Sequence, residues 1–154
     1  MLDTLRQNPV LKNHCAESLQ AIEAKHRKCV QLKDLRVSCS VNIDEAYRTA
    51  EPRKHRWDYY MHVDNNKKLS YAVFFEPHPC TTGEVSCFLK KYEWLREKIN
   101  NHLSILVRDT GCQFYFWIPS SGNKISIHTP QYRHLKKTKI RIVKVINDRD
   151  LNSD

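Results

Sequence analysis

The chain has 154 residues and carries 26 Lys and Arg against 17 Asp and Glu, a formal charge of +9 with an isoelectric point near 9.3. That length suits one domain over 1–154, expected as an ordered body from about 8 to 147 with a flexible tail at 148–154. No run approaches membrane-spanning length, the N-terminus lacks a signal peptide's apolar centre, and the six Cys include no CxxC pair. A membrane partner, a disulfide framework and a zinc site are therefore not expected, and a cytoplasmic location is.

In chain order, Leu11, Cys15, Leu19, Ile22 and Cys29 recur at helical spacing behind Asn8 and Pro9, which predicts an amphipathic helix from Asn8 to about Lys33. From Arg36 the period changes to two, with Val37, Cys39, Val41 and Ile43 on one face of a predicted strand. "TAEPRKHR" breaks it. "WDYYMHV" (57–63) and "LSYAVFFEPHP" (69–79) read as two further strands joined by a hairpin-type turn in "DNNKK".

The segment "TTGEVSCFLKKYEWLREKINNHL" predicts the clearest helix, with a Thr cap, an acidic first turn and Val85, Phe88, Leu89, Tyr92, Leu95 and Ile99 on one stripe. "CQFYFWI" (112–118) and "KISI" (124–127), joined by "PSSGN", predict a strand pair, followed by a short helix opening at Pro130 and a last strand at 140–146. The order α-β-β-β-α-β-β-α-β describes an α/β or α+β fold with a mixed central sheet.

Two acids stand at the ends of neighbouring strands, Asp58 and Glu76. Hairpin pairing can bring their carboxylates together, and a hydrophobic frame makes two unpaired negative charges costly unless a cation joins them. Mg²⁺ and Mn²⁺ accept such oxygen ligands. An ordinary reading stands beside this one: Glu76 and His78 mark where a strand leaves the core, Pro77 and Pro79 end its hydrogen bonding, and Asp58 pairs with Arg53, Arg56 or Lys68.

The helix, three antiparallel strands, helix and strand of residues 8 to 118, with an Asp in "RWDYYMHV" and a Glu in "FFEPHP", resemble the PD-(D/E)XK, or restriction-endonuclease-like, nuclease superfamily. The resemblance matches Asp58 and Glu76 to the motif acids. It departs at His78, where the motif has Lys, and at Trp57, where it has Pro. It implies metal-assisted phosphodiester hydrolysis, with His78 or Lys91 orienting the attacking water and with Glu84 and Glu23 as further metal ligands. Lys90 points toward solvent in this reading, whereas Lys91 and Glu84 share a helix flank.

Basic runs at 25–28, 52–56 and 132–144 imply a polyanionic partner, with Arg53, Lys54, Arg56, Arg133, Lys136 and Lys137 as phosphate contacts for DNA or RNA. The aromatics of "QFYFWI" could supply a homodimer interface. An inactive nucleic-acid-binding or protein-interaction module of the same fold remains open, as does an accessory protein that binds an acidic partner.

Overall fold

The computed structural model describes residues 1–65 and 70–152. The predicted turn in "DNNKK" falls largely outside these residues, as do Lys68 and the last two residues of the predicted tail. The described residues form a mixed α+β fold with six α-helices, one six-stranded mixed sheet and one two-stranded sheet. Among them no helix is long and apolar enough to cross a membrane.

In chain order the elements are α1 (Leu2–Gln7), β1 (Cys15–Glu17), α2 (Ala24–Arg27), β2 (Val30–Gln31), β3 (Arg36–Asn42), α3 (Ile43–Arg48), β4 (Tyr59–Asp64) and β5 (Ser70–Thr81). They continue as α4 (Val85–Asn101), β6 (Cys112–Lys124), α5 (Pro130–Leu135), β7 (Ile140–Ile142), β8 (Ile146–Asn147) and α6 (Asp148–Asn152). The large sheet has the order β1-β3-β4-β5-β6-β7. Its first four strands pair antiparallel, and β6 and β7 add on in parallel.

The long helix predicted from Asn8 to Lys33 does not form. The Asn8 side chain accepts hydrogen bonds from the amides of Val10 and Leu11, which holds one tight turn. Beyond it the open edge of β3 captures residues 15–17 as β1, and the Ser40 hydroxyl takes the amide of Ala21. These tertiary partners satisfy the backbone groups that a helix would have satisfied internally. The same segment also supplies β2, which pairs in parallel with β8.

Strand β3 carries a bulge between Val37 and Cys39. Val37 therefore packs in one apolar layer while Cys39 and Val41 pack in the other, in place of the single buried face predicted. Asn42 ends the strand and caps α3, its side chain accepting from the Glu45 amide.

The two layers sit on opposite faces of the large sheet. Tyr60, Ala72, Phe74, Tyr115 and Trp117 face α4, whose Val85, Phe88, Tyr92, Leu95 and Ile99 close that layer. Tyr59, Met61, Val63, Val73, Phe75 and Phe116 face the other, with Ile22, Val30, Ile146 and Leu151. Strand β5 is buried on both faces up to Glu76, as its unbroken apolar run requires.

Five further expectations change. Residues 112–124 form one strand, not a hairpin, because β5 runs on through Pro77 and Pro79 to Thr81 and offers a partner along its length. Tyr115, Phe116, Trp117 and Ile118 are consequently interior, not exposed as expected, and Phe114 is half-buried. The predicted last strand divides at 143–145, with β7 in the large sheet and β8 in the small one. Residues 148–152 are no loose tail: they form α6, with Leu151 buried and the Asp148 carboxylate accepting the amides of Lys33, Asp34 and Leu35 at 2.9–3.1 Å. Helix α4 itself starts with a 3-10 turn at Thr82–Glu84 and has no side-chain cap; the Thr82 hydroxyl accepts from the Ser126 amide instead.

Candidate active site

Asp58 lies one residue before β4, and its chain position is held from both sides. Its carbonyl accepts the amides of Ile43 and Asp44 at the start of α3 (2.8 and 3.3 Å), and its amide donates to Glu76 Oε2 at 2.8 Å. Pairing of Tyr59 with Phe75 and of Tyr60 with Phe74 puts Asp58 opposite Glu76, both on the sheet face covered by α4. Period two on each strand makes this placement follow from register alone.

From α4 the Lys91 ammonium reaches both acids, pairing closely with Glu76 Oε1 and lying 3.7 Å from Asp58 Oδ1. Exposure grades outward across the three side chains, from 1% at Glu76 to 15% at Lys91 and 22% at Asp58. Behind them Phe88 stacks on Trp117 at 3.9 Å between ring centroids, and Trp57 meets Phe88 edge-on at 5.2 Å. Trp57, standing where the resemblance has Pro, thus belongs to an aromatic floor.

This floor sets the electrostatics. Burial raises the pKa of Asp58, with Lys91 opposing the shift and Asp44 adding to it. Burial raises that of Glu76 well above the ordinary carboxylate range, reinforced by Asp58 and opposed by Lys91. Burial also works against the Lys91 ammonium, but the Glu76 and Asp58 carboxylates outweigh it and hold the Lys91 pKa above its usual value. Two carboxylates facing one ammonium leave one negative charge unmet in a poorly solvated pocket. Such a pocket favours uptake of a proton or a cation, and Asp58 offers the route in from solvent.

The other predicted residues divide. His78 faces Glu76 Oε1 with Nδ1 at 3.8 Å, but its Nε2 bonds Glu84 Oε2 at 2.9 Å. Glu84 therefore belongs with His78 and not with the acid pair. Glu23, expected on a first helix, precedes α2 and pairs with Lys25 at 2.9 Å, so its carboxylate is committed elsewhere. Lys90 is exposed, whereas Lys91 turns inward.

Arg56 is drawn in as well, its guanidinium meeting the Asp44 carboxylate at 2.9 Å and the Glu51 carbonyl at 2.7 Å, which removes it from the expected phosphate contacts. Arg53, Lys54, Arg133, Lys136 and Lys137 are exposed. They stand on the loop before β4 and on and just after α5, segments whose anchors Trp57 and Leu135 lie in the α4 layer.

Sequence reasoning missed Asp44, whose charge bears on both Asp58 and Lys91. It also missed Cys87 and His55, which meet at 3.5 Å beside His78 and Glu84. The i, i+3 spacing of Glu84 and Cys87 was visible as a signal. Nothing local marked His55 or Asp44, because both arrive through loop and helix placement.

The acid pair fits a hard divalent cation: it supplies two oxygen donors, excess negative charge and one side open to solvent. Comparison of the chain with known families, curated proteins and solved structures finds no match to any of them.

Proposed function

We propose that the chain is a divalent-metal-dependent nuclease that hydrolyses phosphodiester bonds of DNA or RNA, a divergent form of the restriction-endonuclease-like fold. The observation that carries this reading is the reach of Lys91 from α4 to both Asp58 and Glu76. It supports Lys91, rather than His78, as the substitute for the missing motif Lys. The antiparallel run β3-β4-β5, the helix α4 and the return to a parallel β6 also agree with the topology that the resemblance implies.

Asp58 and Glu76 would hold Mg²⁺ or Mn²⁺, which when bound supplies Lewis acidity and an activated water. The chain's own groups do the rest. Lys91, whose pKa is raised, stays an ammonium; it serves as a hydrogen-bond donor that orients a water or a phosphoryl oxygen, not as a general base. The Phe88, Trp117 and Trp57 floor keeps bulk water away from the back of the acids. Arg53, Lys54, Arg133, Lys136 and Lys137 neutralise flanking phosphates without reading sequence.

A second reading, a non-catalytic nucleic-acid-binding or protein-interaction module, draws on the same contact. The Lys91 ammonium already provides Glu76 with a countercharge. Incubation with single- and double-stranded DNA and RNA, with Mg²⁺ or Mn²⁺, separates the two. The nuclease reading expects metal-dependent cleavage that falls by at least about a hundredfold in Asp58→Ala, Glu76→Ala and Lys91→Ala. Oligonucleotide binding without cleavage under any metal favours the module. Cleavage that survives all three substitutions overturns the site.

A further inference from the structure

Beside the acid pair, three donor side chains converge from two segments, and a fourth, from a loop, touches one of them. His78 lies toward the end of β5, Glu84 and Cys87 at the start of α4, and His55 in the loop between α3 and β4. His78 Nε2 is 2.9 Å from Glu84 Oε2, and Cys87 Sγ is 3.5 Å from His55 Nδ1. The donor atoms of His78, Glu84 and Cys87 all lie within 4.8 Å of one another.

Donors 2.0–2.3 Å from one tetrahedral ion stand about 3.3 to 3.8 Å apart, so small side-chain rotations suffice to draw His78, Glu84 and Cys87 onto a common centre, with His55, in contact with Cys87, next in line as the fourth donor. Its composition of two imidazoles, one thiol and one carboxylate is the borderline-soft set that selects Zn²⁺ over Mg²⁺. The Asp58 and Glu76 pair, with oxygen donors alone, selects the opposite way.

We propose that His55, His78, Glu84 and Cys87 form a Zn²⁺ site distinct from the acid pair. Zinc there ties the loop carrying Arg53 and Lys54 to the end of β5 and the start of α4, fixing three segments that frame the acids. Glu76 Oε1 lies 3.8 Å from His78 Nδ1, too far for a hydrogen bond, while Nε2 is turned toward Glu84. The cluster revises the expectation from cysteine spacing, which looks for CxxC pairs and has no means of seeing ligands gathered from a loop, a strand and a helix. The inference stands whether or not the acid pair hydrolyses a phosphodiester.

Untagged full-length protein, loaded with Zn²⁺ and then dialysed, is assayed for bound metal by mass spectrometry and, after exchange to Co²⁺, for thiolate-to-metal absorption. We expect one Zn²⁺ per chain and a charge-transfer band. Cys87→Ala removes the band and weakens Zn²⁺ binding by more than about a hundredfold, because losing even an outer partner costs 10 to 100-fold. His55→Ala weakens it at least about tenfold, while Asp58→Asn leaves metal content and band unchanged.

His55 is exposed and Cys87 half-buried, so both variants keep the core, which circular dichroism verifies. Three results overturn the site: no retained Zn²⁺, retained Zn²⁺ without a thiolate band in Co²⁺, or loss of binding in Asp58→Asn but not in Cys87→Ala.

Discussion

Glu76 is fully buried, and its negative charge is tolerable only because Lys91 and the Asp58 amide meet its two oxygens. Removing one partner of such a pair leaves the other charge desolvated. Lys91→Ala is therefore expected to cost about 3 to 5 kcal/mol, measured by urea unfolding at pH 8, where protonation of Glu76 gives least relief. The double variant Glu76→Leu with Lys91→Met replaces both charges by apolar groups of similar size and should cost less than Lys91→Ala alone. A loss below about 1 kcal/mol for Lys91→Ala would show that the ammonium is not Glu76's countercharge. The Glu51 carboxylate makes a similar pairing with α4, meeting the buried Lys98 ammonium and accepting from Trp94 Nε1 at 2.7 Å, so α4 turns two Lys, the half-buried Lys91 and the buried Lys98, onto carboxylates.

At the scale of elements, α6 shows how a short segment is held by one side chain. The Asp148 carboxylate accepts three successive amides from the loop before β3, and these outweigh the effect of burial to depress its pKa below the usual 3.8. A depressed carboxyl stabilises the fold in full above its ordinary pKa, and that contribution is lost as pH falls through the depressed value. Asp148→Ala should destabilise the protein by about 1 to 2 kcal/mol at neutral pH. The variant and the parent should converge as pH falls below the depressed Asp148 pKa, as thermal melts across an acid series would show. A constant gap down to the acid limit would mean that packing of α6, not the charge, makes the difference.

Over the whole molecule the net charge of +9 is not evenly useful. Arg48 and Arg56 neutralise Asp44, and Lys91 and Lys98 are spent on Glu76 and Glu51. Arg53, Lys54, Arg133, Lys136 and Lys137 remain exposed on segments anchored in the α4 layer. If all five meet phosphates of a duplex, log K should fall with log salt at a slope of about −4 to −5. Replacing Lys136 and Lys137 together by Ala should reduce that slope by about 2 without changing sequence preference. A slope that the double variant leaves unchanged would move the nucleic-acid surface away from α5.

Much of the site could be read before the fold was known. Alternation in "WDYYMHV" and "AVFFEPHP" put Asp58 on the face of Tyr60 and Glu76 on the face of Phe74, leaving the β4–β5 register to make those faces one, and the helical period separated Lys91 from Lys90. These inferences use only the repeat within one element, which the local chain determines by itself. What the tertiary structure alone decided was which unpaired edges and faces meet: β3 capturing residues 15–17, β2 joining β8, β6 continuing along an extended β5, and His55 arriving beside Cys87. An open strand edge or a convergent side chain finds its partner by filling hydrogen bonds and space left by distant segments, and no local periodicity records those vacancies.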